Sequence, residues 1–288
     1  MPLLDEPTWR AREAAHQARV DTWIVPHLER RRRGIAHPVL DFLFSYYSLR
    51  PAQLRRWHPG YGVTLENGPI ADDAAVLAKR AESVAWIRGL LAATAGRAGQ
   101  FGCFGMHEWA MVYRQTQEEV RHNAWPLRLS PDATAALVEE RGVRCSHFDA
   151  FRFFTGPARP LNVLQPSRER QTELEQPGCL HANMDVYKWA YKLGPLVESE
   201  LVADAFALAY DIRSLDMRAS PYDLADLGYP PVRVETPEGR AEYVAQQRAF
   251  AERARPLRAR LIAAIDALPA GRAERPGRDP EPAVTTVR

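Results

Sequence analysis

The chain has 288 residues, 46% of them apolar and 26% charged, which is enough to bury a substantial core and too apolar for a disordered polymer. Its net charge of +2 argues against tight duplex binding by charge alone. No apolar run approaches the roughly 20 residues of a membrane span. Residues 1–19 lack a signal-peptide core, so the expected location is the cytoplasm. Three cysteines are too few and odd in number for a disulfide framework, so reduced thiols are expected. Of the 38 basic residues all but Lys79, Lys188 and Lys192 are arginine. That bias fits either phosphate recognition or a GC-rich genome.

The elements follow in chain order. Glu6-Pro7 opens a helix with apolar positions at Trp9, Val20 and Ile24; Pro26 is expected to kink or restart it, and Gly34 to end it. A short apolar helix runs from His37-Pro38 through Tyr47. Ser48 and Pro51 start another. Residues 58–71 are loop-like, with a short strand at 62–66. Asp72 or Asp73 caps a long helix, which the glycines at 96–102 break. Phe104–Tyr113 reads as a buried helix and Leu127–Leu129 as a strand. Ser130-Pro131-Asp132 starts a helix that ends near Gly142. The β-branched and aromatic run Val143–Phe154 reads as one or two buried strands. Helices follow at Leu180–Leu193, from Pro195 to about Met217, and from Thr236-Pro237 to Leu268 with a kink at Pro256. The expected fold is mainly α with a small central β element (α+β), as one globular domain over 1–268 and a disordered tail over 269–288.

Several motifs are absent. There is no Walker A loop and no nucleophile elbow. Gly99, Gly102 and Gly105 follow no strand. His107-Glu108 opens like a zinc-protease helix, but position 111 is Met. What stands out is that a histidine closely follows each cysteine: Cys103 and His107, Cys145 and His147, Cys179 and His181. Cys and His are preferred ligands of zinc and several transition metals. The first pair would share a helix face and the second a strand face. The alternative is that each cysteine is a small buried hydrophobe.

Each histidine also has a carboxylate close by. Glu108 adjoins His107, Asp149 follows His147 by two, and Asp185 follows His181 by four. A carboxylate can fix a histidine's tautomer or activate water. A third charged stretch comprises Asp211, Arg213, Asp216 and Arg218, followed by Tyr222. Aromatics such as Trp109 and Tyr187 flank these segments, as stacking surfaces or as core.

At these segments the chain resembles an actinobacterial protein group labelled 3-methyladenine DNA glycosylase. The resemblance rests on His37–Tyr47, Arg50–Pro59, Gly102–Arg114, Cys145–Thr155, Gln176–Lys188 and Leu215–Gly228. It implies base excision from alkylated DNA, though no helix-hairpin-helix with a Pro-Gly turn is present and no catalytic residue carries over from it. Under that reading Asp149 or Asp185 supplies the carboxylate that excision needs, oriented by His147 or His181, and DNA is the partner. The bound base or substrate would contact Trp109, Tyr187, Arg218 and Tyr222.

A second reading, from the residues alone, is a metal-dependent enzyme on a small metabolite. There His107, His147 and His181 are ligands to Zn or Fe, and Asp149, Asp185 or Glu108 complete the sphere or act as base. A third is a protein that only binds a planar ligand. Both enzyme readings require segments about 40 and about 30 residues apart to converge. The expectation is one cleft lined by His147, Asp149, His181 and Asp185, with His107 at its edge and Arg218 or Tyr222 closing it.

Overall fold

The computed structural model describes residues 2–269. Two-residue strand β1 (Leu3–Leu4) precedes α1 (Glu6–Arg32), whose first turn is capped by Asp5, with Pro7 inside it. Pro26 neither breaks nor restarts α1. The residues beyond it are clamped from outside: buried His27 and Arg30 both bond Asp41 Oδ1, at 2.9 and 3.1 Å. That tertiary clamp offsets the donor a helical proline removes. Short helices α2 (Phe42–Tyr46) and α3 (Pro51–Arg55) follow. The cap of α3 is Arg50, held by Gln53, and not Ser48.

Strand β2 (Thr64–Leu65) pairs in parallel with β1, so the only sheet among the described residues joins the chain's start to residue 65 and involves nothing from 143–154. Helix α4 (Asp73–Ala95) is capped by Asp72 and ended by Gly96; α5 (Met106–Ala110) is a buried turn and a half; α6 (Pro131–Arg141) starts at Ser130. Residues 127–129 contribute one isolated bridge, Leu127 to Tyr222.

Where strands were expected at 143–154, the structure has a single parallel bridge from Val143 to Asn162 and then helical turn α7 (Phe148–Phe151). The physical reason is Asn162. Its side chain accepts from Cys145 N (2.8 Å) and donates to Cys145 O (2.9 Å), taking the backbone groups a neighbouring strand would pair. The aromatic spacing Phe148, Phe151, Phe154 is also three, the helical interval and not the strand one.

Helical turn α8 (Gln171–Leu174) was not evident from sequence. Helix α9 (Leu180–Leu193) is buried on nearly all faces, the mark of a central helix. It packs along α10 (Ser199–Arg218), and both are crossed by α11 (Pro237–Asp266), which runs unbroken through Pro256. One continuous core surrounds α9, with Phe206, Tyr187, Leu193 and Leu208 fully buried. Among the described residues no helix is long and apolar enough to cross a membrane. The expected tail lies, from residue 270 on, outside the described residues.

Candidate functional site

The N-terminal turns of α9 and the last turns of α10 carry charge into this core. Around them the three Cys–His segments meet. The His181 ring lies 4.5 Å from that of His107, edge to face, and 5.4 Å from that of His147, nearly parallel. The three thiols also gather there: burial and the neighbouring Cys103 and Cys179 raise the Cys145 thiol well above its ordinary value. Convergence of segments this far apart in sequence needs a pin. Gln176 Oε1 accepts from both Gln100 N (2.8 Å) and Gly178 N (2.7 Å). A Cβ at Gly178 would collide with the Gln100 carbonyl, so only glycine permits this approach.

Two groups form on either side of His181. In the first, His107 donates from Nε2 to Asp216 Oδ1 (2.9 Å), and its Nδ1 faces Cys103 Sγ at 3.5 Å. Arg213 Nη1 holds Asp216 Oδ2 (2.8 Å) and lies 3.6 Å from Glu108 Oε1. Burial disfavours a charged His107, but the bonds from Asp216 and Cys103 outweigh it and hold the imidazole well above its ordinary pKa. Burial and the Asp216 charge push Glu108 up to about 7. Every strong group here has its counter-charge.

The second group is arranged differently. His147 Nε2 lies 3.3 Å from Asp185 Oδ2 and 3.4 Å from Glu175 Oε1, ion-pair distances without a well-aligned hydrogen bond, and Nδ1 has no partner. Burial disfavours a charged His147, but the two carboxylates outweigh it and raise the imidazole above its ordinary pKa. All three side chains are at least 98% buried. The carboxylate oxygens have further donors: Glu175 Oε1 accepts from Gln171 Nε2 (2.6 Å), Asp185 Oδ2 from Lys188 Nζ (3.0 Å), and Asp185 Oδ1 from the Tyr47 hydroxyl (2.8 Å). Burial raises the Glu175 carboxyl. Asp185 is also buried, but Lys188 and His147 hold it well below the carboxylate range. The ligand-bearing atoms of His147, Glu175 and Asp185 lie within 4.8 Å of one another, as do those of His107, Glu108, His181 and Asp216.

Asp149 does not share a face with His147, because α7 turns it away. It joins the network through Lys188, whose Nζ lies 2.7 Å from Asp149 Oδ2, and it also meets Arg152. His181 sits between the groups and is half-buried, as are Cys103 and Cys179. Burial and the His107 cation push its imidazole down to about 3.

The expected cleft is therefore a buried network, with His107 inside it and not at an edge. Trp109 is fully buried, its indole donating to Ala219 O (2.9 Å), and Tyr187 is fully buried against Tyr47 and Phe206. Both sit in the core, packed too tightly to present a ring face to a ligand. Arg218 turns outward to Pro230 O (2.9 Å) and closes nothing. Tyr222 lies on the Glu108 side, where burial and that carboxylate raise its phenol to about 12. Sequence reasoning missed Glu175, Lys188 and Tyr47. Glu175 had no periodic signal; it stands in an irregular segment one residue before Gln176.

No family model, curated protein or solved structure matches the chain.

Proposed function

We propose that the chain is a metal-dependent enzyme on a small polar metabolite, with His147, Glu175 and Asp185 as ligands to Zn or Fe. The observation that carries this reading is the spacing around His147 Nε2. Its carboxylate neighbours stand at 3.3 and 3.4 Å, neither in a well-aligned hydrogen bond with it. Around an ion with bonds of about 2.1 Å, neighbouring ligand atoms of a tetrahedron stand about 3.4 Å apart. Each carboxylate oxygen has two lone pairs, and Gln171 and Lys188 use one on each, leaving the other to face the centre.

The revised ligand set leaves out His107, whose two ring nitrogens are already engaged by Asp216 and Cys103, and His181. A bound divalent ion supplies Lewis acidity toward a substrate oxygen. Asp216 keeps a proton on His107 Nε2, and Arg213 fixes that carboxylate from its other oxygen. Half-buried His181 marks the accessible edge between the two groups.

Base excision, which the family resemblance implies, needs a carboxylate open to a pocket that admits an extruded base. Asp185 is buried and Asp149 is engaged by Lys188 and Arg152, so neither is an open base, whereas a metal ligand needs only convergence with His147 and Glu175, and the metal reading has the stronger support. The test is dialysis against Zn(II), Mn(II) and Fe(II) in turn, followed by elemental mass spectrometry. One tightly held equivalent is expected, with none in His147→Ala. A folded protein that takes up no ion and releases 3-methyladenine from methylated DNA would replace this reading with the other.

A further inference from the structure

A cavity of about 600 Å³ lies where the end of α4 and the 99–101 loop meet α11. Four arginines line it, Arg97, Arg248, Arg255 and Arg258, against one carboxylate, Glu252. That carboxylate is already paired with Arg255 at 2.7 Å. Arg258 is the informative residue. It is 98% buried, and no carboxylate pairs directly with its guanidinium, the Glu175 charge acting on it only from a distance. Nη2 donates to Asn183 Oδ1 (2.7 Å), while Nε is buried with no partner. Arg97 is likewise bonded only to backbone carbonyls, those of Glu175 (2.8 Å) and Thr172 (2.6 Å).

A buried guanidinium with no carboxylate in direct contact is only partly compensated, and an anion that reaches it stabilises it further. Two guanidinium groups without carboxylate partners, from α11 and from just beyond α4, face one space. Their planar forks match the oxygens of a phosphoryl group, and the surplus of positive charge matches its two negative charges. The rest of the wall is apolar, with Phe101 and Ile262 among its residues, and Arg248 lies over the Phe101 ring at 4.3 Å. A bare phosphate would leave that wall uncovered. We infer that this cavity binds an organic phosphate, its phosphoryl group on Arg258 and Arg97 and an apolar body against Phe101 and Ile262. None of the proposed metal ligands lines the cavity, so the inference is tested separately from the metal reading.

Phenyl phosphate is a suitable probe, with inorganic phosphate and benzoate as comparisons, by isothermal titration calorimetry on the full chain. Phenyl phosphate is expected to bind at least about tenfold more tightly than either. Arg258→Met should abolish that binding. The substitution also strips buried Asn183 Oδ1 of its donor, so a circular-dichroism melt checks that the variant is folded. Ala251→Phe fills the cavity from α11 while leaving every arginine in place, and it should weaken binding by at least about tenfold as well. It decides the matter if Arg258→Met fails to fold. Absence of phenyl phosphate binding at millimolar concentration would overturn the inference. So would unchanged affinity in the folded variants, or benzoate binding as tightly as phenyl phosphate.

Discussion

The groups on either side of His181 are built from the same residue types and behave oppositely. Around His107 each charge is matched: Asp216 takes both the imidazole and Arg213, and Glu108 lies against the same guanidinium. Around His147 two carboxylates face one imidazole at distances too long for good hydrogen bonds, and Gln171 and Lys188 donate to the same carboxylate oxygens. The difference lies in how the side-chain cation is shared. Arg213 reaches both Asp216 and Glu108, whereas Lys188 is shared between Asp185 and Asp149 and leaves Glu175 with no cationic side chain but His147 beside it. Residue types alone do not separate a metal centre from a buried salt bridge.

The largest expected effect comes from breaking the matched side. Asp216→Ala strips the partner from both Arg213 and His107 in the core and should cost about 3–5 kcal/mol in urea unfolding. A loss under about 1 kcal/mol would mean that this side is not the structural one.

Acid–base behaviour sharpens the same contrast. Glu108 holds its proton in the folded state up to about pH 7, far above where an unfolded glutamate loses it. The folded protein therefore binds more protons between the two values. Its contribution to stability is full below the unfolded pKa and is lost as pH rises toward 7. Unfolding free energy should fall across that window by up to about 1.4 kcal/mol per pH unit, and Glu108→Gln should flatten the slope. An unchanged slope in the variant would place the titration elsewhere.

Smaller effects are expected at the unmatched side. Tyr47→Phe removes the hydroxyl that orients Asp185 and should cost about 1–2 kcal/mol in stability, together with weaker ion uptake. Glu175→Gln removes one of two facing carboxylates. In ion-free protein its stability change should stay within about 1 kcal/mol of zero, while the bound ion is lost. A large destabilisation of the ion-free variant would make Glu175 a structural partner of His147.

The sequence displayed much of the helical framework because its signals are local. Asp72, Ser130 and Thr236 cap their helices through their own side chains, and the apolar stripe of α4 marks its inner face. What it concealed is set by distant partners. The run 143–154 avoids becoming a strand because Asn162 satisfies Cys145, and α1 passes Pro26 because Asp41 holds its end. The Cys–His pairs pointed to three segments whose histidines do meet. They did not reveal that α7 turns Asp149 toward Lys188, nor that Asp216 and Glu175 supply the nearer carboxylates. Those pairings follow from tertiary packing, which no spacing along the chain encodes.

The distinction between the two sides is tested most directly by an anomalous-scattering map from crystals of the protein equilibrated with Zn(II). One peak is expected about 2.0–2.2 Å from His147 Nε2, Glu175 Oε1 and Asp185 Oδ2, with none on the Asp216 side. A peak between His107 and Asp216, or no peak at either group in a fully soaked crystal, would contradict it.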